Sequence, residues 1–229
     1  MSATDPNVLL RDWWNNSAPA VFSHISYGGY LGSEAKQIKV WGVRWLSRTC
    51  GERACVGERV VEYGIGGGLL AENLLATQNV SHYAGVDIAA RQREHARARL
   101  EKLAESSGRR LSYSLHDTDV SFRSLAPSLF ISIAVIQHFP TAEYTAAWLA
   151  RVDACGAARV VLQTRAGRRP SWWSRRYNIS DLLAKTRRIK YATVLTTGEL
   201  SAALPSYSLE WESRAYENNI KFYAFRLKA

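Results

Sequence analysis

Apolar and polar positions fall into two regimes along the chain, and the change comes close to residue 58. Before it the apolar positions are largely aromatic, among them Trp13, Trp14, Tyr27, Tyr30, Trp41 and Trp45. Ile38, Trp41 and Trp45 recur at helical spacing, with Ser33 placed to cap the helix and Glu34 in its first turn, where negative charge suits the helix dipole. The intervening SHISYGGYLGS is punctuated by glycine and reads as a loop. Residues 1–57 are therefore expected to form a helical cover on a main domain spanning 58–229.

From Val60 onward, short apolar runs alternate with amphipathic stretches, the pattern of a parallel sheet with crossover helices. RVVEY predicts a first strand, HYAGVDI a second, residues 111–115 a third, 129–134 a fourth and ARVVLQ a fifth. Leu70 and Leu74 mark a short helix after the first strand. Residues 91–107 predict a longer helix with Ala96, Leu100 and Leu103 on one side and arginines on the other. Arg97 and Glu101 are spaced to pair there, so that charge reads as a solvated face. Thr141 is placed to cap a helix whose Tyr144, Trp148 and Val152 share one face, and Thr196 with Glu199 forms a capping box before a short helix ended by Pro205. Residues 207–214 and 221–227 predict two final strands joined through a Glu-Asn-Asn turn. The sum is an α/β, doubly wound, seven-stranded mixed sheet.

Composition alters this picture little: of 229 residues, 47% are hydrophobic and 22% charged, ordinary globular usage. No run approaches the roughly 20 apolar residues that span a bilayer, and the N-terminus lacks a basic-then-apolar signal, so a cytoplasmic protein without a membrane span is expected. Cys50, Cys55 and Cys155 are odd in number and lack zinc-ligand spacing, which fits reduced thiols. Charge changes more. Much of the net +10 comes from Arg159, Arg165, Arg168, Arg169, Arg175, Arg176, Lys185, Arg187, Arg188 and Lys190, opposed within that stretch by Asp181 alone. Such a segment is either a solvated surface or an attractor of phosphate, carboxylate or nucleic acid.

The sharpest chemical signal is Glu62-Tyr63-Gly64-Ile65-Gly66-Gly67-Gly68, between a predicted strand and a predicted helix. Glycines there allow positive φ and let a ligand approach the backbone, while the helix start offers free amides. Asp87, closing the second strand, is placed to accept hydrogen bonds from both hydroxyls of a ribose. The spacing Gly64-x-Gly66-x-Gly68 departs from the G-x-G-x-x-G of dinucleotide sites, and Glu62 stands two positions before the first glycine, so a dehydrogenase is the weaker reading.

VVEYGIGGG, YAGVDI, LHDTDV and LFISIAVIQHF, taken in order, resemble the motif series of class I S-adenosylmethionine-dependent methyltransferases over roughly residues 60–163. The resemblance implies S-adenosylmethionine as cofactor, with Glu62, Tyr63, Gly64, Gly66 and Gly68 around its methionine part. It places Asp87 on the ribose, Ile88 beside the adenine, and Asp117 with Thr118 at the adenine amino group. Residues 134–138, from Ala134 to His138, would wall the sulfonium and the incoming substrate. Relatives often carry an acid where Ser128 stands, and Gln137-His138-Phe139-Pro140 replaces the Asn/Asp-Pro-Pro-aromatic tetrapeptide of an amino-methylating subclass.

Methyl transfer from a sulfonium is an in-line displacement in which alignment carries much of the rate, and a base is needed only when the acceptor must lose a proton. For a hydroxyl acceptor His138 is the best-placed base, ahead of His24, His82 and His116; it also reads as a loop cap packed on Phe139. Gln137 stands beside it, and Tyr27 and Tyr30 are candidates to fold over the cofactor or merely to anchor the cover. No metal is expected, since the carboxylate clusters of magnesium-dependent catechol-type enzymes are missing near the fourth strand. Two acceptor classes fit. A small molecule or glycan, anionic if the basic segment contacts it, suits the single domain and Trp172 and Trp173 as stacking platforms; an RNA suits the basic 159–190 segment with the same tryptophans. An inactive scaffold on the same fold is a third class, against which the intact turn and Asp87 argue.

Overall fold

The computed structural model describes residues 8, 10–12, 14–15, 58–77, 80–133, 135–165, 193–213 and 220–229. Seven strands form one sheet in the order β3-β2-β1-β4-β5-β7-β6. They are β1 (Arg59–Tyr63), β2 (His82–Val86), β3 (Tyr113–His116), β4 (Leu129–Ser132), β5 (Arg159–Arg165), β6 (Tyr207–Glu212) and β7 (Ile220–Leu227). The first five run parallel, and β7 pairs antiparallel with both β5 and β6. The helices are α1 (Leu69–Thr77), α2 (Ala90–Ser107), α3 (Ala142–Asp153) and α4 (Thr197–Ala203). The expected α/β mixed sheet is the architecture present.

Both faces of the sheet are covered, which is why the strands read as near-continuous apolar runs. Val61, Tyr63, Phe130 and Leu162 share one core with Trp148, Leu149 and Val152 of α3 and Leu200 of α4. Val60, Tyr83, Ile131 and Val161 share the other with Leu70 and Leu74 of α1 and Ala96 and Leu100 of α2. The starts of α3 and α4 are fixed by the capping residues the sequence offered. Thr141 Oγ1 accepts from the Tyr144 amide at 3.1 Å. At α4 both halves of the capping box form, the Glu199 amide donating to Thr196 Oγ1 at 3.2 Å and the Thr196 amide to Glu199 Oε2 at 2.7 Å.

Several boundaries move from their expected places. β2 stops at Val86 and β4 at Ser132, each two residues early, because the chain turns there into the loops that frame the site. β5 runs on through Arg165 because β7 supplies a partner as far as Ile220. The Glu-Asn-Asn turn lies outside the described residues. Ser128, where the motif resemblance leads one to expect an acid, fastens the start of β4 to β1: its hydroxyl accepts from the Arg59 amide at 2.8 Å and its own amide donates to Arg59 O at 3.0 Å.

β1 lies between β2 and β4, so successive connections leave it in opposite directions and open a crevice at the carboxyl ends of β1 and β4, where doubly wound sheets bind ligands. Residues 8, 10–12, 14 and 15 are helical and reach this end of the sheet. Arg11 meets Asp117 at 3.3 Å, Asn15 Oδ1 accepts from the Arg91 amide at 3.4 Å, and the Trp14 ring stands edge-on to His138. No helix among the described residues is long and apolar enough to cross a membrane.

Candidate active site

The glycine turn is tied to the end of β2: the Gly64 and Ile65 amides both donate to Val86 O, at 2.7 and 3.2 Å. Its glycines differ in what they do. A Cβ on Gly64 (φ +84°) would come within 2.1 Å of Val135 Cγ2, and one on Gly68 (φ +78°) within 3.0 Å of the Ala96 backbone. These two are packing glycines, letting the turn lie against the loop after β4 and against α2. Among the described residues nothing lies within 4 Å of a Cβ placed on Gly66 (φ +51°) or Gly67, so this part of the turn is bare of them.

Asp87 is buried at the end of β2 and holds this turn. Its Oδ2 accepts from the Gly66 amide and its Oδ1 from the Ala89 amide, both at 2.9 Å. Each oxygen keeps capacity for a further donor, so the carboxylate can take two hydroxyls without losing the turn. Burial raises its pKa; the Ala89 and Gly66 amides and Arg93 oppose that. Glu62, two residues before Gly64, is more enclosed: it is buried beneath the turn and accepts from the Tyr83 hydroxyl at 2.6 Å. Burial pushes its carboxyl from the usual 4.5 up to about 8, Tyr83 pulling it down and the Asp87 charge pushing it further up.

Beyond β3, Asp117 receives Arg11 and Arg93, each at 3.3 Å, and the Thr118 amide at 2.6 Å. Thr118 O accepts from Arg151, which also stacks over Phe122 and so pins this loop to α3. Ile88 is partly exposed beside Asp87. On the other side of the crevice a 3₁₀ turn, Ile136–His138, follows β4. His138 is partly exposed, its ring centroid 5.4 Å from that of Trp14 at an interplanar angle of 80°. Gln137 is buried, and its Oε1 accepts no hydrogen bond among the described residues.

Thus the structure brings Glu62, Gly64, Gly66, Gly68, Asp87, Ile88, Asp117, Thr118, Gln137 and His138 to one end of the sheet. The Tyr63 side chain goes elsewhere: its ring packs between Phe122, Phe139 and Trp148 in the core, and its hydroxyl meets that of Tyr144 at 3.3 Å. Only its backbone belongs to the turn. His82 starts β2, at the far end of the sheet, and bonds Ser112 and Ser114. Tyr27, Tyr30, Ala134, Trp172 and Trp173 lie outside the described residues, as does His24. Among the described residues no group of three His, Cys, Asp or Glu is placed to hold a metal ion.

Sequence reasoning passed over three residues. The arginines of α2, expected on a solvated face, include two that are site supports. Arg93 donates to Asp87 O and pairs with Asp117, while Arg99 donates to Gly67 O at 2.8 Å and pairs with Glu72 of α1 at 2.7 Å. A signal existed for Arg99, which stands one helical turn after Ala96 on the apolar stripe rather than opposite it. Tyr83 had no such signal, because its partner is two strand positions away on a neighbouring strand.

No protein-family model and no curated protein matches the chain. Solved structures do. The magnesium protoporphyrin IX methyltransferase of Synechocystis PCC 6803, crystallised with S-adenosylhomocysteine, superposes with a TM-score of 0.71 at 17% identity over 96% of this chain and 99% of its own. The small RNA methyltransferase HEN1 gives a TM-score of 0.62 at 15% identity over 85% of this chain and 25% of its own. An S-adenosylmethionine-dependent methyltransferase from Clostridium acetobutylicum ATCC 824 gives 0.56 at 12% identity, covering 92% and 99%. The fold is the one these methyltransferases share.

Proposed function

We propose that this chain is an S-adenosylmethionine-dependent methyltransferase acting on a hydroxyl of a small molecule or sugar. The observation that carries the reading is the Asp87 carboxylate, buried, clasping a turn in which Gly66 and Gly67 have no described residue within 4 Å of a Cβ position. The residues present fit the cofactor: Asp87 has acceptor capacity for a ribose diol, Ile88 offers an apolar edge for adenine, and Glu62 is a second carboxyl on the methionine side. The Synechocystis enzyme, matched nearly end to end, was also crystallised with S-adenosylmethionine itself.

Bound there, the cofactor supplies a methyl group on a sulfonium, an electrophile that needs no covalent help from the protein. The chain's own work is placement and proton handling. His138, at the carboxyl end of β4, accepts the proton of an incoming hydroxyl, and Trp14 holds the imidazole by its ring edge. Gln137 Oε1 supports a hydroxyl-bearing acceptor, since a buried carbonyl oxygen without a donor costs roughly 1–3 kcal/mol until one arrives.

An RNA acceptor has one specific support, the likeness to HEN1 together with the net charge of +10. It is the weaker reading because the porphyrin enzyme superposes more closely and over more of this chain, with a TM-score of 0.71 over 96% against 0.62 over 85%. The decisive experiment incubates the protein with methyl-labelled cofactor and separated small-molecule and RNA fractions. Label in a small molecule, lost in His138→Ala while that variant still binds S-adenosylhomocysteine, is the expected result; label in RNA selects the other acceptor. Asp87→Ala is expected to weaken S-adenosylhomocysteine binding by at least about tenfold in calorimetry, the loss of one to two hydrogen bonds, and unchanged affinity overturns the cofactor assignment.

A further inference from the structure

Two histidines that the proposed reaction does not use converge on one hydroxyl at the edge of the sheet. His82 opens β2, and His116 closes β3, the edge strand. Ser114 of β3 stands opposite Ala84, between the levels of the two histidines. Side chains alternate along a strand, so Ser112, Ser114 and His116 share one face, and the rings of His82 and His116 lean toward Ser114 from opposite directions. His82 Nε2 lies 3.0 Å and His116 Nε2 2.8 Å from Ser114 Oγ, while His82 Nδ1 lies 2.9 Å from Ser112 Oγ. Both rings and Ser114 are partly exposed, and Ser112 is exposed.

A serine hydroxyl has one proton, so Ser114 can satisfy one imidazole lone pair and must receive an N–H from the other ring. Ser112 can accept the Nδ1–H of His82, which leaves His82 Nε2 its lone pair. An acceptor behind the ring is also how metal-ligating imidazoles are oriented. His116 Nδ1 makes no hydrogen bond among the described residues, so it can carry the ring proton and free a lone pair on Nε2 as well. Burial lowers the pKa of both rings, and at His82 Arg59 and then His116 lower it further. No carboxylate bonds either ring among the described residues, so both are neutral at pH 7, the state that ligation requires. Arg59, whose charge reaches His82, is itself tied to Leu125 O at 3.3 Å.

We propose that His82, His116 and Ser114 form a site for a divalent late transition-metal ion such as zinc: the two Nε2 atoms bind it, Ser114 Oγ and water complete four ligands, and the ion clasps edge strand β3 to β2. Metal–nitrogen bonds of about 2.0–2.1 Å require the rings to swing toward each other, a rotation open to partly exposed side chains. Imidazole ligands suit zinc, nickel and copper, whereas magnesium and calcium take oxygen. With two protein nitrogens the site is open, and weaker than a closed structural set of four. None of its side chains is assigned to the cofactor or the acceptor, so it stands or falls apart from the methyltransferase reading.

The test is calorimetric titration of the full chain with zinc chloride at pH 7, beside melting with and without zinc. Glutamine replaces each histidine, because it keeps a hydrogen bond to Ser114 while ligating zinc poorly. Wild type is expected to show saturable binding that weakens by at least about tenfold in His82→Gln and in His116→Gln. Ser112→Ala, which removes only the acceptor behind His82, is expected to weaken it by about tenfold. His95→Gln, at an exposed position on α2, is expected to change it by less than about twofold. Zinc should raise the melting temperature of wild type and of His95→Gln, but not of the other two histidine variants. No saturable binding by wild type, binding that survives both His82→Gln and His116→Gln, or a wild-type melting temperature that zinc leaves unmoved overturns the proposal.

Discussion

Gly64 and Gly67 are three residues apart in one turn, and their substitution is expected to separate folding from binding. Gly64→Ala meets both a left-handed backbone and Val135, and should cost roughly 3 kcal/mol of stability, read as a lowered midpoint in denaturant. Gly67→Ala meets nothing within 4 Å among the described residues, so its midpoint should stay within about 0.5 kcal/mol of wild type while S-adenosylhomocysteine affinity falls. Glu62 carries a pH signature in the cofactor-free protein. Its folded pKa of about 8 lies above the usual 4.5, so between these values the folded state binds more protons than the unfolded one. Stability attributable to this group is therefore whole below the lower value and is lost as pH rises through the upper. Melting temperature is expected to fall less between pH 5 and about 8 in Glu62→Gln than in wild type, and identical slopes would remove the buried-acid assignment.

Among the elements, the helices that need a defined start have one. Thr196 and Glu199 satisfy each other's backbone groups at the head of a seven-residue helix, which is too short to persist on propensity alone. Thr196→Ala is expected to cost about 1 kcal/mol in denaturant unfolding, with cofactor binding unchanged because α4 packs away from the glycine turn. α2 has no side-chain cap, and its stability comes instead from Ala96 and Leu100 in the core and from Arg93 and Arg99 reaching across to the turn. That explains how one helix can be rich in arginine and still be structural: the guanidinium groups satisfy the carbonyls of Asp87 and Gly67 that the loops leave open.

At the scale of the molecule, the described N-terminal residues meet the carboxyl end of the sheet through Arg11, Trp14 and Asn15, and the first two of these are unequal. The Arg11–Asp117 pair is half exposed at its arginine and so contributes little. Trp14 on His138 is a ring contact at the site itself. We therefore expect Trp14→Ala to lower turnover while leaving S-adenosylhomocysteine affinity unchanged, and Arg11→Ala to alter neither beyond about twofold, a difference under 0.5 kcal/mol. Equal effects of the two would show that the segment acts as a loose tether rather than as part of the site.

The order of strands and helices, the helix caps, the glycine turn and the acid after β2 were all legible in the sequence, because each depends on local backbone chemistry: period, turn residues and orphan amides within a few positions. Residues 58–229 thus declare a doubly wound sheet, and the end of it that carries the glycine turn, without any coordinates. What the tertiary structure alone decided is which neighbour each side chain met. Packing sent the Tyr63 ring into the core, made Gly64 and Gly68 spacers while leaving Gly66 and Gly67 bare, turned two arginines of α2 inward, and set a tyrosine from the next strand on Glu62. Those contacts join residues up to 85 positions apart, Tyr63 and Trp148 being the most distant, and one-dimensional periodicity carries no information about them.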